Sequence, residues 1–145
     1  MSWLFGVRHK WMDGRPECDA CVLTTANFND DISAWDTSSV TTMVGMFLGQ
    51  SSFNQPLNDW WVDNVKSMGA MFLLASSFNQ PLADWRVDNV TNMHKMFCDA
   101  TAFNQPLNDW RVDNVTNMHG MFQGVPRTVN GTGHTGPSEF CATSI

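Results

Sequence analysis

Two hydrophobic rhythms alternate along the chain. Leu57, Trp60 and Val62 follow an L-x-x-W-x-V phrase, and Trp60 and Val62 alternate with Asp59, Trp61 and Asp63. That is the period of a strand buried on one face. Pro56 cannot donate to a ladder, so the strand begins after it. From Val65 the rhythm changes: Val65, Met68, Met71, Phe72 and Ala75 fall at intervals of 3, 3, 1 and 3. Those intervals draw one stripe along a helix. Asp63 and Asn64 stand where an N-cap belongs, as Ser38 and Ser39 do one unit earlier. The pattern predicts one short strand and one short helix per unit.

The unit is copied. FNQPLNDWWVDNVKSMGAMFLLASS begins at Phe53, FNQPLADWRVDNVTNMHKMFCDATA at Phe78, and FNQPLNDWRVDNVTNMHGMFQG at Phe103. A diverged copy, FNDDISAWDTSSVTTMVGMFLGQSS, begins at Phe28. The period is 25 residues without insertion, and residues 78–97 differ from 103–122 only at Ala83/Asn108 and Lys95/Gly120. One strand and one helix cannot bury a core alone. Stacked coils can, because the Phe, Leu, Trp, Val and Met of one turn close over those of the next.

The L-x-x-W-x-V phrase ahead of Val65 looks like the strand phrase of leucine-rich repeats with Trp in a Leu slot. The longer phrase FNQPLNDW-x-V-x-NVTNM-x-x-MF resembles the 25-residue repeats of BspA-like bacterial and protist surface proteins, also described in mycoplasmas. The resemblance spans residues 28–123 and is closest in the last three copies. It implies a right-handed solenoid with a parallel sheet on one side, in proteins that are surface-exposed or secreted and act by binding. The expected fold is therefore an α/β repeat solenoid, leucine-rich-repeat-like, with four coils over 28–125. Residues 1–27 would form an N-terminal cap and 126–145 an irregular C-terminal tail. The first copy departs from the pattern at Asp30-Asp31 and at Ser38-Ser39.

Composition narrows the function. The chain has 145 residues, 43% hydrophobic and 15% charged, which is not the profile of a disordered segment. Its 8 Lys and Arg stand against 14 Asp and Glu, a formal charge of -6. Nucleic-acid binding needs a basic stripe to displace counterions, and none is present. No apolar run is long enough to cross a bilayer, so no membrane insertion is expected. Residues 1–27 show no long apolar block with a small-residue cleavage site, so no signal peptide is expected in this chain. The cell surface or secretion is what the resemblance implies; the residues themselves do not name a compartment.

Stacking would align equivalent residues, about 4.8 Å apart on the sheet side and about 8–10 Å on the helix side. Three outward columns then arise on the strand face: Asp59, Asp84 and Asp109; Trp61, Arg86 and Arg111; Asp63, Asp88 and Asp113. Flanking carboxylates relieve the repulsion between arginines, which is a purely structural role. An exposed Trp beside Arg is also a typical interface anchor, so the same nine residues form the candidate partner-binding face. The Asn columns (Asn54, Asn79 and Asn104; Asn64, Asn89 and Asn114) are expected to satisfy backbone groups at the coil corners. Asn89 and Asn114 also fit a glycosylation acceptor pattern, for which Asn130 in the tail is the better candidate.

Catalysis finds little support. His94 and His119 share a repeat position, but helix-side spacing holds them too far apart for one metal ion. Cys18 and Cys21 make a lone C-x-x-C without the second pair a zinc site wants. Cys98 is expected on an outward helix position and Cys141 lies in the tail. A local Cys18–Cys21 disulfide, or a Cys141 link to the N-terminal segment, stays open in an oxidising compartment. No nucleophile–base–orienter set and no phosphate loop appear. The sequence reads as a non-catalytic module without cofactor or metal, binding a protein or glycan through the strand face. Its rival is a structural array element that self-associates end to end through stacked coils.

Overall fold

The computed structural model describes residues 28–126. The expected cap over 1–27, most of the tail, and the cysteines Cys18, Cys21 and Cys141 lie outside the described residues. Four successive coils, 28–52, 53–77, 78–102 and 103–126, stack so that equivalent residues fall in columns.

The coils are built of turns. Trp60 N–H donates to Leu57 O at 3.0 Å, Val65 N–H to Val62 O at 2.9 Å, and Phe78 N–H to Ala75 O at 3.0 Å. Each closes a four-residue turn. L-x-x-W and V-x-N-V are thus two consecutive corners. The spacing of three brings both apolar ends inward, while Trp60, Trp61 and Val62 alternate for only three residues. That is too short to establish a strand.

The expected α/β solenoid of strands and helices is therefore overturned. Among the described residues there is no helix, and extended pairing is confined to the isolated parallel bridges Thr42–Ser67, Ser67–Asn92 and Asn92–Asn117. In the segment expected to be helical, alternate peptide groups leave the coil. The N–H groups of Met43, Gly45, Phe47 and Gly49 donate to the carbonyls of Ser67, Gly69, Met71 and Leu73 at 2.7–2.9 Å. The intervening Met46, Leu48 and Gln50 donate three residues back, to Met43, Gly45 and Phe47. This alternation requires positive φ at two places per coil: Gly45 and Gly49, Ala70 and Leu74, Lys95 and Asp99, Gly120 and Gly124, with φ between 51° and 74°. A helix cannot accept those angles. The M-x-x-M-F spacing that mimics a helix is met here by successive turns.

The core fills the interior of the stack. Phe53, Phe78 and Phe103 form one column, with ring centroids 5.9 and 6.0 Å apart. Phe47, Phe72, Phe97 and Phe122 form a second, at 5.4–5.5 Å. The columns interlock, Phe72 on Phe78 at 4.0 Å. Trp60, Trp85 and Trp110 are buried, and each indole N–H donates to a backbone carbonyl 28 residues earlier: Ile32, Leu57 and Leu82. Each fully buried Phe, Leu or Met contributes about 1.5–3 kcal/mol, against about 0.2–1 kcal/mol for an exposed ion pair. Apolar stacking, rather than surface charge, holds the coils together.

A candidate interaction face

The two corners of each coil flank the outward residues. The 57–60 and 62–65 turns turn Trp60, Val62 and Val65 inward and leave residues 59, 61 and 63 outside. Trp61 is 57% exposed, whereas Trp60 beside it is 3% exposed. The Thr37 hydroxyl donates to Trp61 O at 3.0 Å and fixes the backbone beneath the exposed ring. Asp59, Asp84, Asp109, Arg86, Arg111 and Asp113 are exposed; Asp63 and Asp88 are half-buried. The nine residues singled out by sequence thus stand on one outer face, though no strand carries them.

Their electrostatics are diagonal. Arg86 Nη1 lies 3.8 Å from Asp63 Oδ2, and Arg111 Nε lies 3.5 Å from Asp88 Oδ1, so each arginine leans onto the aspartate of the preceding coil. Arg111 Nη2 also lies 3.8 Å from Asp113 Oδ2. Among the described residues no ion pair involves the outer column Asp59, Asp84 and Asp109; Asp84 accepts instead from the Asn58 amide. Six carboxylates less two guanidiniums leave four formal negative charges on this face.

The Asn columns do what the sequence suggests. Asn54, Asn79 and Asn104 N–H donate to Oδ1 of Asn29, Asn54 and Asn79 at 2.8–2.9 Å. Asn64, Asn89 and Asn114 Nδ2 donate to the carbonyls of Ser38, Asp63 and Asp88 at 2.7–2.8 Å. The amides that a glycan would occupy at Asn89 and Asn114 are used in packing. Asp31 turns the first coil: its carboxylate accepts Ser33 N–H at 2.9 Å, which lowers its pKa from the usual aspartate value.

Two expectations are corrected. His94 and His119 stack with centroids 5.7 Å apart, not the wider spacing of packed helices, because the backbone ladder draws the coils together there. The stacked rings have nearly parallel planes, 14° apart, and so do not converge on a common point. No group of three or more metal-ligating side chains occurs among the described residues. Cys98 is 3% exposed, packed with Leu48 and Leu73, rather than outward. Burial lowers the pKa of His94, helped by Lys95 and His119, and its Nδ1 is buried without a hydrogen-bond partner.

One feature escaped the sequence. Trp35 stacks on Trp60 at 6.4 Å yet is 37% exposed. With Ala34, Asp36, Thr37, Val40, Met43 and Met46 it lines a cavity of about 370 Å³ at the first coil. Its sequence signal is position: Trp35 belongs to the first copy of the phrase.

No helix of the described residues is long and apolar enough to cross a membrane. The family described as "Mycoplasma protein of unknown function, DUF285" matches residues 17–133, most of the chain. No curated protein and no solved structure matches it.

Proposed function

The chain belongs to this family of Mycoplasma proteins of unknown function, and from that premise we propose a non-catalytic module that binds a protein or glycan partner through the face of Trp61, Arg86 and Arg111. One observation carries the reading: Trp61 is 57% exposed on an outer column that it shares with Arg86 and Arg111. A large ring held in water contributes nothing to the core. It offers a flat apolar surface to a sugar ring or a side chain, and aromatic and Arg anchors dominate binding energies. The flanking aspartates set the polarity of what docks. The resemblance of the phrase to BspA-like repeats supports a place at the cell surface or outside the cell.

The test compares the chain with a Trp61→Ala, Arg86→Ala variant on a printed glycan array and on a random-peptide array. Array signals that the variant loses at least tenfold, with a thermal midpoint within about 2 °C of the parent, support the face as a binding site. Equal signals from both chains, or none from either, refute it. A large fall in the midpoint with signals retained would make the face structural.

A further inference from the structure

The two ends of the coil stack are complementary. Inside the stack neighbouring coils share a ladder of backbone hydrogen bonds along this side. From coil 3 the N–H groups of Met93, Lys95, Phe97 and Asp99 donate to the carbonyls of Asn117, His119, Met121 and Gln123 at 2.7–3.0 Å. Two bonds run back to one carbonyl, Thr116 N–H and Asn117 N–H to Thr91 O at 2.8 and 3.3 Å. On coil 4 the N–H groups of Met118, Gly120 and Gly124 hold the same donor positions and meet no acceptor among the described residues. Gly120 and Gly124 keep the required positive φ. Val115 and Met118 are only partly buried there, although Val90 and Met93, their equivalents in coil 3, are fully buried.

Coil 1 presents the converse. The carbonyls of Thr42, Val44 and Leu48 accept from no described residue, while those of Ser67, Gly69 and Leu73 each take an N–H. Beside them opens the cavity of about 370 Å³ lined by Trp35, Val40, Met43 and Met46.

We propose that these ends are the two halves of one interface, through which copies of this chain stack head to tail. The register follows from the repeat. A ladder donor meets the carbonyl 24 residues on, and four coils of 25 return residue 142 to 42. Met118 N–H therefore meets Thr42 O of the next copy, Gly120 meets Val44, Gly124 meets Leu48, and the next copy's Thr41 N–H returns to Thr116 O. Val115 and Met118 enter the cavity beside Val40 and Met43, as they would enter a fifth coil. A second copy fits this edge better than an ordinary β-strand does. A strand edge alternates N–H and C=O groups and would set N–H against N–H at every second position. Tail-to-tail pairing fails for the same reason, so the contact is heterologous and does not close on a dimer.

Two experiments test this on the full chain. Sedimentation velocity across a hundredfold concentration range should show a mean mass that rises past the dimer, and Trp61→Ala should leave that rise unchanged, which separates this contact from the binding face. A monomer at every concentration, or growth that stops at the dimer, overturns it. A Thr41→Cys, Thr116→Cys double variant places two exposed residues at one ladder step, where Cα atoms fall within disulfide reach. Under mild oxidation it should yield covalent multimers containing a peptide that joins residues 41 and 116. Absence of that peptide, or a link between two copies of residue 116, refutes head-to-tail stacking.

Discussion

Trp110 stacks on Trp85 across 25 residues of chain, ring centroids 6.4 Å apart and planes 3° from parallel. Each indole N–H also reaches the preceding coil, Trp85 to Leu57 O and Trp110 to Leu82 O, both at 2.9 Å. The residue therefore joins coils twice, by its face and by its edge. Trp85→Phe keeps a ring but removes the donor, and should cost about 1–3 kcal/mol in urea unfolding. Trp85→Ala removes both and should cost about 3–5 kcal/mol. Equal losses for the two variants would show that the hydrogen bond contributes nothing.

The Asn columns make a second, polar seam. Asn79 Oδ1 accepts the backbone N–H of Asn104 and the amide of Gln105, at 2.9 and 3.0 Å. Asn79→Ala should destabilise by about 1–2 kcal/mol. Asn79→Asp retains both acceptor positions and should cost less. Indistinguishable denaturation midpoints for the two variants would contradict this assignment.

How far the sequence disclosed this architecture depends on which residues are followed. The stacking of Phe, Trp and Asn was legible because identical residues recur every 25 positions. The local backbone was not. Met68, Met71 and Phe72 satisfy a helical stripe and a series of turns equally well, since both place residues three apart on one side. The discriminating signal was Gly45 with Gly49 and Gly120 with Gly124, in copies one and four. Two glycines four apart cost a helix about 1 kcal/mol each, but they suit a ribbon that needs positive φ. Copies two and three, with Ala70, Leu74, Lys95 and Asp99 at those places, conceal it. The outward face was legible, because Trp61 shares its position with Arg86 and Arg111. The His94–His119 stack was not, because its spacing was inferred from helices.

Those concealed positions carry strain. Lys95 has φ 51°, and its equivalents Gly45 and Gly120 need no Cβ. A non-glycine residue held there costs about 1–3 kcal/mol, and a glycine returns part of that as unfolded-state entropy. Lys95→Gly should thus stabilise the chain by up to about 1 kcal/mol. Gly124→Ala should act oppositely, since a Cβ there would lie 1.9 Å from Asp99 Oδ1. Differential scanning calorimetry should move the two midpoints in opposite directions; a common direction would contradict the strain argument.

His94 gives the stack a dependence on acid. Its pKa is lowered, first by burial and then by the charges of Lys95 and His119. In the unfolded chain it titrates near 6.5. Between that value and its lower folded pKa the unfolded state binds more protons, so stability falls as pH drops through this window. Protonation would set imidazolium beside Lys95 and against the stacked ring of His119. Val44 fills the same position in coil 1, so His94→Val is tolerable in shape. The parent's thermal midpoint should decline from pH 7 to 5, and the variant should decline distinctly less. Parallel declines would place the acid sensitivity elsewhere.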